Sequence, residues 1–241
     1  MLSKNQIKLI TSLKQKKYRQ QHELFVVEGK KTIHELLNSK FELEHLFTTT
    51  NDFKVLDALK TVIVASDLKK ISFLKTPNTA LALFKMPVQQ PLNFEELVVA
   101  LDDVRDPGNL GTIIRLCDWF GVKHLLCSKA TVDCYNPKVI QATMGSITRV
   151  NIVYNSIENV LNTQNVPVFG AFMGGDNIYQ NALPSKGVIV MGNEANGISD
   201  GVSQLVSQRI AIPRFGEVQE TESLNVANAT AIILSEFKRR Q

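Results

Sequence analysis

Val188-Ile189-Val190-Met191-Gly192-Asn193-Glu194-Ala195-Asn196-Gly197-Ile198-Ser199 is the stretch from which the fold is read. Its first four residues are apolar, three of them β-branched, with no polar residue between them. A strand with one wet face alternates in polarity, so this run reads as a strand covered on both faces. Gly192 then turns the chain, and glycine lets main chain approach a ligand with no Cβ in the way. The spacing differs from the Gly-x-Gly-x-x-Gly dinucleotide fingerprint, and no helix opens at the right place for one.

Similar short runs lie at residues 97–101, 124–127, 152–154, 168–172 and 209–212, with helical patterns between most of them, for example at 112–120 and 200–206. Strands alternating with helices imply an α/β unit built on a parallel sheet. Ligands on such sheets bind in the loops after the carboxyl ends of strands.

The first part of the chain reads differently. Leu2, Ile7, Leu9, Ile10 and Leu13 share one side of a helix, with Lys4, Lys8 and Gln15 opposite. After a basic turn, residues 24–27 read as a strand stopped by Glu28-Gly29, and a helix runs to about Leu37. Further strands are predicted at 43–48, 62–65 and 80–84, with a helix near 55–59. Met86-Pro87-Val88-Gln89-Gln90-Pro91 has no periodicity and marks a linker. The predicted layout is a small α/β domain at 1–86, a linker at 87–95 and the larger domain at 96–241.

Composition narrows the class. Of 241 residues, 44% are hydrophobic and 21% charged, ordinary for a folded chain, and no run approaches the length that spans a bilayer. The N-terminus does not read as a secretory signal. Cys117, Cys127 and Cys134 lack Cys-x-x-Cys spacing, and His22, His34, His45 and His124 lack metal-ligand spacing, so no metal is expected. A reduced, cytoplasmic protein is expected. The net charge of +4 is unevenly spread: residues 1–31 hold eight basic side chains against Glu23 and Glu28, a net +6, which leaves −2 for the remainder. Such a basic module suits an anionic partner, although a solvated lysine-rich face explains it equally well.

Three loops carry the candidate chemistry. In the first, Asp102 to Gly111, a Pro-Gly turn leads to a helix expected near Thr112, and Asn109 is placed to cap it or to orient a substrate. Arg115 falls about one turn into that helix, where a cation opposes the helix dipole. Bidentate contact with a phosphate explains it, but on local pattern alone an ion pair with Asp102, Asp103 or Asp118 is simpler. The second loop is the glycine turn from Gly192 to Gly197. In the third, Ile212-Pro213 ends a strand, and Glu222 or Ser223 opens a helix to about Lys238 that is apolar almost all round. Ser223 would cap it. Asn225, in the first turn of a buried helix, would need a partner, since an unsatisfied buried amide costs about 1–3 kcal/mol.

Together these loops resemble the three motifs of the SpoU (TrmH-like) branch of the SPOUT RNA methyltransferases. The residues that carry it are Asp106-Pro107-x-Asn109-x-Gly111 with Arg115, then Gly192-x-Glu194-x-x-Gly197, then Ile212-Pro213 with Ser223-Leu224-Asn225-Val226-Ala227. Phe25-Val26-Val27-Glu28-Gly29 is similar to the L30e-type RNA-binding domain that often precedes this catalytic domain. The resemblance implies a trefoil-knotted α/β catalytic domain, a homodimer with active sites close to the subunit interface, and S-adenosylmethionine as cofactor. It implies methylation of a ribose 2′-hydroxyl in RNA, ribosomal in preference to transfer RNA. Carried over by position, Asn109, Arg115, Glu194, Ser223 and Asn225 form the catalytic and substrate-holding set, and Gly192, Ile212 and Leu224 contact the cofactor. The loop from Arg214 to Glu222 is longer than in compact relatives. A non-catalytic RNA-binding protein on the same scaffold and a base methyltransferase are the rival readings.

Overall fold

Short apolar strands with different neighbours build two different sheets. The structure, a computed structural model, describes residues 2–216 and 223–239. In chain order the first elements are α1 (Lys4–Ser12), α2 (Lys16–His22), β1 (Leu24–Glu28), α3 (Lys30–Leu37), β2 (Leu43–Thr48), β3 (Lys60–Val62), α4 (Ala65–Ile71) and β4 (Ala80–Lys85). Then come β5 (Leu97–Leu101), α5 (Pro107–Trp119), β6 (His124–Cys127), α6 (Pro137–Thr143), β7 (Asn151–Tyr154) and α7 (Ile157–Asn162). The last are β8 (Val168–Asn177), β9 (Gly187–Met191), α8 (Asp200–Ser203), β10 (Gln208–Ala211) and α9 (Val226–Arg239). The chain divides into two compact units, Met1–Val88 with Asp133–Thr148, and Gln89–Val132 with Arg149–Gln241.

The first unit is a four-stranded sheet in the order β1-β4-β2-β3. β4 runs antiparallel to β1 and β2, and β3 is parallel to β2. Ser3 starts α1 with a capping box: its hydroxyl accepts from Gln6 N while the Gln6 side chain accepts from Ser3 N. Ile10 and Leu13 then drop into a core with Val26, Phe47, Leu68 and Leu81. The segment Asp133–Thr148 belongs to this unit too, because α6 packs on β1 and the Tyr135 ring lies 4.7 Å from that of fully buried Phe25. Sealing a phenylalanine in this way stabilises by about 2–3 kcal/mol. The sequence offered no sign of it, since the segment lies far along the chain between β6 and β7.

Two local predictions for this unit need correction. The apolar run 62–65 is not a strand: β3 ends at Val62, Ile63 N makes one more bond to Thr48 O, and Val64 is exposed ahead of α4. Residues 55–59 form only a single 3-10 turn, Asp57–Leu59.

The second unit is a six-stranded sheet in the order β10-β8-β9-β5-β6-β7, with every neighbouring pair parallel. Every residue of the central strands β5 and β9 is buried, which requires cover on both faces. Ile157 and Leu161 of α7, Ile198, and Val202 of α8 pack on Val98, Ala100, Val188 and Val190. β8 runs on to Asn177, past the predicted end at 172, and its pairing with β10 jumps from Gly170 to Asp176. Gly175 permits that crossing: a Cβ there would lie 2.8 Å from the Ile210 carbonyl carbon.

α5 starts at Pro107, earlier than predicted. Asp106 caps it by accepting from Asn109 N at 2.8 Å, and proline at the first position gives up an N–H that the helix leaves unpaired in any case. Arg115 therefore sits in the third turn of α5, too deep for the dipole argument to apply.

Candidate active site

The second unit brings its three polar loops together at the carboxyl ends of β5, β9 and β10. Asp102, directly after β5, accepts from Ser199 N at 2.8 Å and ties the first loop to the end of the second. The second loop is held by Asn193. Its Nδ2 donates to Asp103 O at 2.8 Å, its Oδ1 accepts from Ala195 N and Asn196 N, and its main chain exchanges two 2.9 Å bonds with Gly197. Gly192 is glycine for a reason internal to this turn: a Cβ would fall 2.3 Å from the Gly197 carbonyl carbon. Gly197 itself has φ +69°, in the left-handed region.

The third loop delivers Asn225, and here the structure corrects the sequence. Asn225 is exposed rather than buried, and it is the cap of α9, its Oδ1 accepting from Ala227 N at 3.0 Å and Asn228 N at 3.3 Å. The described part of α9 begins at Val226; Glu222, the alternative start, lies outside the described residues, as does most of the extended loop. The Ser223 hydroxyl, predicted as the cap, has no hydrogen-bond partner among the described residues. Asn228 is exposed, so α9 is not buried all round.

Capping leaves Asn225 Nδ2 free to donate to Asn109 Oδ1 at 2.9 Å, and Asn109 Nδ2 in turn donates to Glu194 Oε1. Asn109, Glu194 and Asn225, one from each loop, thus form one hydrogen-bonded cluster. Beside it lies a cleft of about 860 Å³ whose lining includes Gly192, Glu194, Ile212, Ser223 and Leu224. Met191, Val226 and Ile233 add apolar surface. Its other wall was not foreseen: Ala171 to Gly174 of β8, and Arg209 with its guanidinium 4.5 Å from the Phe172 ring centroid. Only the neighbouring of β8 and β10 makes that wall, and strand order cannot be read from a linear sequence.

Arg115 stands apart. It is exposed on α5, does not line the cleft and has no hydrogen-bond or ion-pair partner among the described residues. The carboxylates that might have paired with it are committed: Asp102 to Ser199 N, Asp103 to Arg105, and Asp118 to Arg149. On the same helix, burial pushes the Cys117 thiol up to about 12, so it is an inert core group. Among the described residues no His, Cys, Asp and Glu cluster is arranged to hold a metal ion.

A parallel sheet with a mixed polar and apolar cleft at its carboxyl end defines a small-molecule-binding α/β enzyme class. The family model described as the SpoU rRNA Methylase family matches residues 96–235, and an MRM3-like substrate binding domain matches residues 4–82. The chain belongs to the SpoU rRNA methylase family. It is 28% identical to the 23S rRNA (guanosine(2553)-2′-O)-methyltransferase RlmP of Bacillus subtilis, covering 96% of each chain. A solved structure of a putative RNA methyltransferase of the TrmH family from Porphyromonas gingivalis superimposes with a TM-score of 0.93 at 38% identity, over 100% of both chains. An rRNA methyltransferase from Sinorhizobium meliloti with AdoMet bound gives 0.88 at 28% identity, over 100% of this chain and 96% of the other.

Proposed function

We propose that this chain transfers a methyl group from S-adenosylmethionine to a ribose 2′-hydroxyl of ribosomal RNA. The observation that carries this reading is the Asn109–Glu194–Asn225 cluster at the edge of a cleft of cofactor size. Family membership and the AdoMet-bound relative support it.

The cleft suits the cofactor. About 860 Å³ lies within the roughly 300–1,000 Å³ usual for ligand pockets. Met191, Ile212, Leu224 and Val226 offer apolar surface for a purine, and the main chain at Gly192, Ile212 and Leu224 offers donors and acceptors for its edge. When bound, the cofactor supplies a methyl group on a sulfonium, open to in-line displacement.

The protein's own task is to place the hydroxyl and help remove its proton. Asn225 is the joint of the site: its Oδ1 is spent on α9 and its Nδ2 on Asn109. Ser223, whose hydroxyl has no partner among the described residues, and the second Nδ2 hydrogen of Asn225 orient the ribose hydroxyl. Glu194 is the carboxylate of the cluster and fixes Asn109. Arg115 clamps the phosphate next to the target ribose through its planar fork; a guanidinium keeps its proton above pH 12 and does not act as the base.

Residues 1–86 serve as the RNA-binding domain, joined through 87–95 to a trefoil-knotted catalytic domain at 96–241, of which the segment Asp133–Thr148 packs into the first unit; the family match over 4–82 supports the first assignment. The enzyme works in the cytoplasm as a homodimer. Exposed Trp119, one turn beyond Arg115 on α5, supports a subunit contact near the active site. Incubating the purified protein and radiolabelled S-adenosylmethionine with ribosomal and transfer RNA, followed by nucleoside analysis, tests this reading. A 2′-O-methylated nucleoside in ribosomal RNA is expected; label on a base, or on transfer RNA alone, would overturn it.

A further inference from the structure

Several lysines of this chain are held by carboxylates. Lys30, Lys60, Lys70, Lys85, Lys123 and Lys186 each meet a carboxylate within 4 Å. Lys14 and Lys17, in and beside the turn that joins α1 to α2, are exposed and form no ion pair among the described residues. Their ammonium groups lie over rings, Lys14 at 5.0 Å from the Phe73 centroid and Lys17 at 5.7 Å from Tyr18, and Lys14 also favours the charged form of the Glu28 carboxylate. Phe73 is itself held in place, since the Glu28 carboxylate accepts from Phe73 N at 2.7 Å and from the Ser72 hydroxyl.

Beneath the turn lies Arg19, 2% exposed. Its Nη1 donates to Leu13 O at 2.8 Å and Lys14 O at 2.9 Å, and its Nε and Nη2 donate to the Asp133 carboxylate. Burying an arginine is costly unless its charge is matched, and here both main-chain acceptors belong to the turn that presents the lysines. A merely solvated lysine turn has no need of such a strut.

We propose that this turn, with Lys14 against Phe73 and Lys17 against Tyr18, docks the sugar-phosphate backbone of the RNA substrate, and that Arg19 is the positioning residue that presets it. This rests on the RNA-methylation reading above. Ammonium groups neutralise phosphates as point charges, and the rings beneath them hold the two lysines in place. A turn clamped in advance loses less freedom when RNA binds.

The test measures affinity for a ribosomal RNA fragment between about 50 and 200 mM salt, a range over which phosphate contacts set the salt dependence. Lys14→Ala with Lys17→Ala should flatten the slope of log K against log salt by about 1.4–1.8, since each phosphate contact contributes about 0.7–0.9. Cofactor affinity, read by calorimetry, should not change, and melting temperature should fall by no more than a few degrees, the loss of two exposed cation–ring contacts. The doubly Lys→Arg protein keeps the charge and should keep the slope. Arg19→Lys keeps the net charge but cannot span two carbonyls and a carboxylate; it should raise KM for RNA with little change in kcat, whereas a purely structural defect lowers kcat as well. A double alanine protein that binds with wild-type affinity and slope overturns the proposal, whatever Arg19→Lys does. The two readings fail separately. Wild-type methylation that is indifferent to the lysines removes the docking surface and leaves the activity; lysine-dependent binding without methyl transfer does the reverse.

Discussion

Asn109 and Arg115 lie on the same helix, yet the fold treats them in opposite ways. Asn109 spends both ends of its amide inside the protein, on Glu194 and Asn225, so three loops from distant parts of the sequence are fixed before any ligand arrives. Arg115 is exposed and engages nothing among the described residues, although several carboxylates lie nearby in sequence. The first arrangement is what a cofactor cleft requires, because every side chain ordered in advance is freedom not lost on binding. The second fits the proposed clamp on an RNA phosphate, which a side chain tied up within the protein could not supply.

Substitutions at the two ends should therefore separate stability from turnover. Arg115→Ala should lower kcat/KM for RNA by about a hundredfold, the usual effect of losing a positioning contact, while stability stays within about 0.5 kcal/mol. Arg115→Lys should fail to restore turnover, because a point charge does not reproduce a fork; near-normal activity would argue against the clamp. A drop of several degrees in melting temperature for either protein would make Arg115 structural and dissolve the contrast.

Gly192→Ala attacks the cleft side. With Gly197 main chain where the new Cβ must go, the turn has to shift, at a cost of about 1–3 kcal/mol and with loss of cofactor affinity by calorimetry. Asn225→Ala removes the α9 cap and the bond to Asn109, so about 1 kcal/mol of stability should disappear along with cofactor affinity. Asn225→Asp sharpens the result. It keeps the cap and loses the donor, so stability should recover while activity does not.

The smallest effect lies outside the cluster, at Glu28. Burial, the largest cause, raises its pKa above the usual carboxylate range despite hydrogen bonds from Ser72 and Phe73. The folded state therefore holds this proton more tightly than the unfolded chain does. Its contribution to stability should grow as pH falls from neutral through the raised value, then level off below about 4.5, the ordinary value for glutamate. Paired carboxylates such as Asp52 and Glu96, whose pKa values are lowered, act in the opposite sense. The signal is thus the difference between wild type and Glu28→Gln in denaturant titrations at several pH values. No difference at any pH would mean that Glu28 is as well solvated in the fold as outside it.

Strands of the second unit were legible because burial on both faces leaves an unbroken apolar run, and β5 and β6 fall at the predicted residues. Element ends were harder. α5 starts at Pro107 because Asp106 can cap it, and a Pro-Gly pair reads equally well as a turn. Helical periodicity counts Asn225 into a buried helix, whereas it stands just outside, as the cap. Asn193, which holds the glycine turn, carried a signal that could have been used, since asparagine before a glycine-ended loop often bonds its own main chain.

By itself the sequence determined the α/β character, the order of the three loops and the residue types they carry, because hydrophobic period and loop chemistry are local properties of the chain. That Asn109, Glu194 and Asn225 meet, that β8 walls the cleft, that Asp133–Thr148 completes the core of the first unit, and that Arg115 has no partner among the described residues all follow from packing in three dimensions. These are matters of which distant segments become neighbours. A parallel sheet settles that through strand order, which depends on how the whole chain buries its apolar surface and not on any single stretch of it.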